Sequence, residues 1–125
     1  MIITHEEFKD LAPSIVRRRL IIECIFKKNK IHQKKIYDYM VELSEIMNMT
    51  IVSLPVTNYL EEYGFSAYMS WKESGMHVYT WEENSERPNF MSIDIYTCKN
   101  FEIHDVIEFT KKSFSDEITE ITWRE

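Results

Sequence analysis

Side chains capable of chemistry are concentrated in two segments of this chain, from Lys72 to Trp81 and from Asp94 to Cys98. The first, KESGMHVYTW, contains a serine followed by a row of histidine and aromatic residues, and the second, DIYTC, ends in a cysteine. Both segments alternate as β-strands do. If the two strands are neighbours, a hydroxyl, an imidazole, a carboxylate and a thiol lie close together, and these groups take part in nucleophilic and acid–base chemistry.

The alternation also predicts which side chains share a face of the sheet. Over residues 65–72, 76–81 and 91–98, one set is largely apolar and suits contact with helices, whereas the other gathers hydroxyls, rings, one carboxylate and one thiol. The candidate site residues are Ser66, Tyr68, His77, Tyr79, Trp81, Asp94 and Cys98, with Glu73, Ser74 and Glu83 at strand ends. Because so many rings are seldom left bare, we expect a ligand site beside a subunit interface in a homo-oligomer, a dimer or a trimer.

Hydrophobic periodicity predicts the elements that hold these strands. Thr4 followed by Glu7 forms a capping box for a short first helix that ends before Pro13. The remaining elements are a strand at 20–26, a helix at 31–47, a strand at 50–54 stopped by Pro55, the three strands above, a helix at 103–114 and a strand at 118–123. The predicted fold class is α+β: residues 1–125 form a single domain, a two-layer sandwich of a mostly antiparallel sheet with two long helices on one face.

Composition and charge argue against several functions. Fifteen basic and 21 acidic residues give a net charge of −6, which disfavours bulk nucleic-acid binding. Two cysteines without metal-type spacing, and no signal pattern or apolar run of membrane length, predict a cytoplasmic protein without a bound metal or membrane segment. One basic segment is either a solvated face or a site for an anionic group such as phosphate, and its members are Arg17, Arg18, Arg19, Lys27, Lys28, Lys30, Lys34 and Lys35.

One ordered set of residues resembles the small prokaryotic type of the S-adenosylmethionine (AdoMet) decarboxylase family, from about Arg17 onward. The set is Gly64-Phe65-Ser66, Glu73-Ser74, Thr80-Trp81 and Asp94 with Thr97-Cys98. In that family the proenzyme cleaves itself at the Glu-Ser bond, and the serine becomes a pyruvoyl group that acts as an electron sink. The resemblance implies that Ser74 is the pyruvoyl precursor, Ser66 a helper in self-cleavage and Cys98 a proton donor.

Four positions depart from the pattern of that family. Gly75 stands where the family has a histidine directly after the serine, and Tyr79 where it has a second histidine that is essential for cleavage. Glu82-Glu83 replaces Pro-Glu, and Leu60 replaces an aromatic residue that helps to hold the adenine. A phenol is a poor proton acceptor at neutral pH, unlike an imidazole. We therefore predict that the chain is not self-processed, forms no pyruvoyl group and uses no cofactor.

The preferred hypothesis is a cofactor-independent lyase that acts on AdoMet or on AdoMet joined to a nucleotide. The substrate carboxylate displaces its own sulfonium, releasing methylthioadenosine and homoserine lactone, as small AdoMet lyases of phages and defence systems are thought to do. One of three carboxylates, Glu73, Glu83 or Asp94, would face the sulfonium, and the rings of Tyr68, Tyr79 and Trp81 would contact the sulfonium and the adenine. The basic segment would suit a phosphate-bearing substrate.

Residue roles in this hypothesis fall into two groups. The catalytic residues are Glu73, Ser74, Tyr79 and Cys98, and the substrate-binding residues are Ser66, Tyr68, His77, Trp81, Glu83 and Asp94. A second hypothesis is a pyruvoyl-dependent AdoMet decarboxylase of polyamine (spermidine) synthesis, in which His77 or Tyr79 takes over from the lost histidine. A third is a non-catalytic AdoMet-binding subunit.

Overall fold

The computed structural model describes residues 1–27 and 31–125. Its regular elements are β1 (Arg18–Phe26), α1 (Gln33–Ile46), β2 (Ile51–Leu60), β3 (Gly64–Trp71), β4 (Ser74–Trp81), β5 (Asn89–Thr97), α2 (Ile103–Ser113) and β6 (Ile118–Arg124). The helices have 14 and 11 residues, and none in the described ranges is long and apolar enough to cross a membrane.

The six strands form one sheet in the order β2-β3-β4-β5-β1-β6, and every neighbouring pair is antiparallel. β3, β4 and β5 are joined in sequence by hairpins, whereas β1 lies between β5 and β6. The two segments that carry the candidate chemistry are therefore direct neighbours, as the sequence predicts. Ser74 pairs with Thr97 and His77 pairs with Asp94.

Both helices pack on one face of this sheet, which confirms the predicted two-layer α+β fold. Leu20 and Ile22 of β1 and Ile93 and Ile95 of β5 are fully buried on that face. The helices cover them with the periodic apolar residues Ile36, Met40 and Leu43 of α1 and Val106 and Ile107 of α2. Each such side chain contributes about 1.5–3 kcal/mol when it leaves water, so burial on this face is the main stabilisation of the sheet.

The predicted first helix is wrong, since residues 1–17 form bends and turns without a helix. The capping box at Thr4 and Glu7 is present in sequence, but both residues are exposed. An isolated helix of fewer than about 12 residues is marginal in water, and its stability comes from packing an apolar face. Ile3, Phe8 and Leu11 find no such packing here and are exposed.

The strand predicted at 50–54 continues through Pro55 to Leu60, so the predicted stop at the proline is wrong. β2 is an edge strand, and its register against β3 shifts between Ser53 and Val56, on either side of the proline. Proline lacks the N–H that a central strand needs, but an edge strand with an irregular register accommodates it.

Candidate functional site

The sheet face opposite the helices carries a ladder of rings across β3 and β4. The ring centroids of Tyr68 and His77 are 5.6 Å apart, those of His77 and Tyr79 are 5.7 Å apart and nearly parallel, and those of Tyr79 and Trp81 are 6.1 Å apart. The alternation predicted from the sequence is confirmed, because Met76, Val78 and Thr80 of the same strand are buried on the helix side. We call this ring-bearing side the open face.

Two hollows on the open face meet at Asp94. The first, here the Ser74 hollow, has a volume of about 320 Å3, and the second, the β6 hollow, about 550 Å3. The Ser74 hollow is lined by Arg19, Tyr68, Ser70, Ser74, His77, Asp94 and Tyr96, among others. The β6 hollow is lined by Ile21, Glu23, Tyr79, Ser92, Asp94, Thr122, Trp123 and Arg124. The predicted residues Tyr68, Ser74, His77, Tyr79 and Asp94 therefore share one continuous surface.

Arg19 is a residue of this surface that the sequence analysis missed. Its Nε lies 3.3 Å from Asp94 Oδ1, and its guanidinium carbon lies 5.0 Å from the centroid of the Tyr96 ring. The two contacts place a positive group in the lining of the Ser74 hollow, beside the Asp94 carboxylate. The strand predicted at 20–26 begins after Arg19, whereas β1 begins at Arg18, so Arg19 and Glu23 both occupy the alternate positions that face away from Leu20 and Ile22. Period-two alternation in β1 was the signal that could have found them.

Ser74 lies at a tight hairpin turn and has an unusual backbone conformation. Trp71 pairs with Ser74, so Lys72 and Glu73 alone form the turn between β3 and β4. The φ angle of Ser74 is +132°, a region that residues with a side chain rarely adopt. The backbone N–H of Cys98 donates to the Glu73 carbonyl oxygen at 2.9 Å, so a donor already lies on the carbonyl of the Glu73–Ser74 bond.

The Glu73 carboxylate braces the turn against the start of β2. Its Oε1 accepts from the Thr50 backbone N–H at 2.8 Å, and its Oε2 accepts from the Thr50 hydroxyl at 3.1 Å. These bonds, led by the backbone one, together with the Lys99 charge lower the pKa of Glu73 below its ordinary value. Glu73 lines neither hollow among the described residues. The catalytic role of Glu73 stays a prediction. The structure gives it in addition a structural role, the two hydrogen bonds to Thr50, which the sequence did not suggest.

Gly75 lies where the backbones of β3 and β4 approach closely. A Cβ atom built at this position would lie 2.4 Å from the Met69 carbonyl oxygen, which is far inside the contact distance of real Cβ atoms. No side chain fits here unless the strand backbone moves. The position after the serine is therefore closed to a histidine for a steric reason.

The other predicted residues lie around the hollows rather than in their lining. Cys98 is exposed and follows β5 beside the Glu73 carbonyl, and Ser66 is half-buried opposite Tyr79. Trp81 is half-buried and packs on Phe90, with ring centroids 5.3 Å apart. Glu83 is exposed after the end of β4. For the described part of the chain, none of these four lines either hollow, and their roles stay predictions.

The basic segment is divided among several surfaces. Strand alternation puts Arg18 and Arg19 on opposite faces, and Arg18 donates to the Phe101 carbonyl oxygen and pairs with Glu125. Lys34 and Lys35 pair with Asp38 and Glu117 on the helix side. Lys28 and Lys30 lie outside the described residues. Five described members, Arg17, Arg18, Arg19, Lys34 and Lys35, are thus paired with carboxylates on different surfaces, which disfavours one phosphate site spanning the segment. A local site for an anionic group stays a prediction.

A family model described as S-adenosylmethionine decarboxylase matches residues 18–124, from the first residue of β1 to the last residue of β6. No curated protein matches the chain. The residues around Ser74 fit a pyruvoyl group only in part. The strained serine and the hydrogen-bonded Glu73 carbonyl suit its precursor, whereas Gly75 leaves no room for an imidazole and Tyr79 presents a phenol. Imidazoles are thus missing from both positions where this family is expected to carry them.

The close approach at Gly75 predicts a steric penalty for any added side chain. Gly75→Ala is expected to lower the free energy of unfolding by about 1–3 kcal/mol, because the new Cβ forces β3 and β4 apart. Gly75→His is expected to lose at least as much and to remain one uncleaved chain. Urea unfolding measures the first effect and denaturing gel electrophoresis the second. Asn58→Ala, at an exposed position of β2, is the control and should change stability by less than about 0.5 kcal/mol. Equal stability of Gly75→Ala and wild type would contradict the contact.

The brace between Glu73 and Thr50 predicts a pH-dependent contribution to stability. The folded-state pKa is lowered, so the contribution is present above the ordinary glutamate pKa and is lost as the pH falls through the lowered value. Glu73→Gln should therefore be less stable than wild type near neutral pH, and the gap should close in acid. Urea unfolding over a pH series measures this gap. Thr50→Val removes one of the two hydrogen bonds, so its difference in stability from wild type should be smaller. A difference between Glu73→Gln and wild type that does not change with pH would refute the brace.

Proposed function

Because the chain belongs to the S-adenosylmethionine decarboxylase family, we propose that it acts on AdoMet, or on AdoMet joined to a nucleotide, and cleaves the sulfonium by a lyase reaction without a pyruvoyl group. The products are a methylthioadenosine-type thioether and homoserine lactone. The observation that carries this choice is the closed position at Gly75 beside an open face that keeps its rings and Asp94. We assign the open face to the substrate, and no side chain, and so no imidazole, fits directly after Ser74.

The lyase reaction needs no group that this chain lacks. A carboxylate oxygen of the substrate attacks its own γ-carbon, a C–O bond forms, the C–S bond breaks, and the electron pair of that bond goes to sulfur. The sulfonium becomes a neutral thioether, and the carboxylate becomes a lactone. No proton moves, no water enters and no electron sink is required. The protein has only to fold the substrate so that oxygen and γ-carbon meet, and oriented intramolecular attack of this kind has a large effective molarity.

During the reaction the positive sulfonium and the negative carboxylate of the substrate neutralise each other, and the open face suits such a change. The transition state is less polar than the bound substrate, so surroundings of rings in place of water favour the reaction. Tyr68, His77 and Tyr79 form such a surface, with adjacent ring centroids under 6 Å apart. Ring faces also attract a sulfonium and stack on an adenine.

Asp94 is the carboxylate to which we assign the positive end of the substrate. The three sequence candidates were Glu73, Glu83 and Asp94, and of these only Asp94 lines the hollows as described. Its Oδ1 lies 3.3 Å from Arg19 Nε but accepts no hydrogen bond from any described residue, and Arg19 itself lies over Tyr96. A buried carboxylate oxygen without a hydrogen-bond partner can accept from the ammonium of AdoMet or contact its sulfonium. Ser74 and Cys98 stay candidates at the margin of the Ser74 hollow.

The proposal includes a homo-oligomer. Tyr68, Tyr79 and Tyr96 are 42%, 37% and 39% exposed, so water reaches the rings in the single chain. A second or third copy over the open face would exclude that water, and the exclusion of water favours the charge-neutralising step. It would also cover a group of rings that is seldom left exposed on a protein surface. The cytoplasmic location also stays a prediction.

One observation favours the self-processing decarboxylase as the second candidate. Ser74 has a strained φ, and the carbonyl of the bond that this family cleaves already accepts a hydrogen bond from Cys98. Strained backbone is often found where a protein makes or breaks a bond. A pyruvoyl group at this position would supply the electron sink for decarboxylation, and His77, which lines the hollow together with Ser74, would be the remaining imidazole.

Incubation with AdoMet and mass spectrometry of the products tests the proposal. We expect methylthioadenosine and homoserine lactone in equal amounts. Asp94→Asn should lower kcat/KM about tenfold or more because it removes a charged contact, and Tyr79→Phe should lower it less. Asp116→Asn and Tyr63→Phe make the same chemical changes at exposed positions outside both hollows and should leave turnover unchanged. Release of CO2 would support the second candidate, and unchanged substrate would support a binding subunit.

A further inference from the structure

Residues 1–16, here called the arm, expose more large apolar side chains than any other segment that the structure describes. Ile2 and Phe8 are 92% and 93% exposed, and Ile3, Leu11 and Ile15 are exposed as well. The arm precedes the family match, which begins at residue 18, so the chemistry of the family does not account for it. Large apolar side chains gathered in one exposed segment indicate an interaction surface.

The chain exposes more surface than a compact protein of the same mass. The chain exposes 8477 Å2. A folded protein of its mass is expected to expose about 7,100 Å2. The excess is roughly 1,400 Å2 on each chain, or roughly 2,800 Å2 over two chains, which lies within the range of about 2,000–5,000 Å2 that obligate homodimer interfaces bury. The surface that the arm adds is therefore large enough to hold two chains together.

Local contacts close a turn where the arm joins β1. Arg17 is ion-paired with Asp10, and the Ile15 backbone N–H donates to the Ala12 carbonyl oxygen at 2.9 Å, which closes a turn just before β1. The Arg17 hydrogen bond and the Ala12 backbone N–H lower the pKa of Asp10 below its ordinary value. Fixed by this turn, Ile2, Ile3 and Phe8 project without a partner among the described residues.

A second exposed surface of aliphatic side chains lies on β2. Val52, Leu54 and Val56 are 67%, 55% and 43% exposed, and we call them the β2 strip. β2 is the edge of the sheet, so its outer backbone groups have no strand beside them in the part of the chain that is described. Unprotected apolar edge strands bind other chains. The open face is aromatic, and its rings already contact one another. The β2 strip is aliphatic, as most apolar side chains of the arm are.

We propose that the arm of one copy of this chain docks on the β2 strip of a second copy. One sequence carries both exposed surfaces, and a two-fold exchange covers both on each copy at once, which closes the assembly. This contact differs from the contact over the open face that the proposed function includes, and it does not rest on the lyase reaction; the position of the trapped disulfide distinguishes the two contacts.

Sedimentation of the purified full chain tests the inference. Phe8→Glu in the arm and Val56→Glu in the strip should each weaken self-association at least tenfold, because each puts a charge into the apolar contact. His5→Glu and Asn58→Glu add the same side chain at exposed polar positions of the same segments and should not. Equal association constants for all five proteins, or a monomer throughout, would overturn the inference, and a monomer would point to a different protein as the occupant.

Disulfide trapping shows whether the contact joins two chains. Phe8→Cys and Leu54→Cys are prepared separately in a Cys98→Ser background, which removes the exposed native thiol. An equimolar mixture of the two should form a covalent dimer whose linked peptide contains residues 8 and 54. A mixture that yields only 8–8 or 54–54 links, or no link, would contradict an arm that reaches the β2 strip of another copy.

Discussion

The contact between Gly75 and the Met69 carbonyl is the constraint on which the account of the site depends. A two-residue turn joins β3 to β4, and the strands meet so closely beside it that no Cβ atom fits. The same turn places Ser74 in a strained conformation and brings the Glu73 carbonyl to the Cys98 N–H. The backbone around the serine is thus tightly held, and no side chain, and so no imidazole, fits directly after it.

The rings and the carboxylate of the open face are not part of the contact at Gly75. Tyr79, at a position where the resemblance implies a histidine, lies in the ladder of rings and lines a hollow with Asp94. A sulfonium substrate needs ring faces, an anionic contact and little water, and it carries its own leaving group. Chemistry that moves no proton is therefore compatible with the loss of both imidazoles, whereas decarboxylation requires the electron sink that self-cleavage supplies.

Sequence patterns predicted the sheet well because alternation and burial follow the same period of two. They placed His77 beside Asp94 and assigned Met76 and Val78 to the core. They failed where tertiary context decides. The first helix lacks an apolar surface to pack on, Pro55 is accommodated because β2 lies at an edge, and Arg19 lies outside the strand predicted at 20–26 because β1 begins two residues earlier. The contact at Gly75 depends on the distance between two backbones, which no local pattern contains.

The intact mass of the purified protein is the most direct test of the central claim. The account predicts one species at the full mass of 15.1 kDa, before and after prolonged incubation, and release of methylthioadenosine by that uncleaved species. Two peptides that divide before Ser74, with a blocked amino terminus on the second, would contradict it. Such a result would mean that the strained bond at Glu73–Ser74 breaks without the imidazoles and that decarboxylation is the reaction.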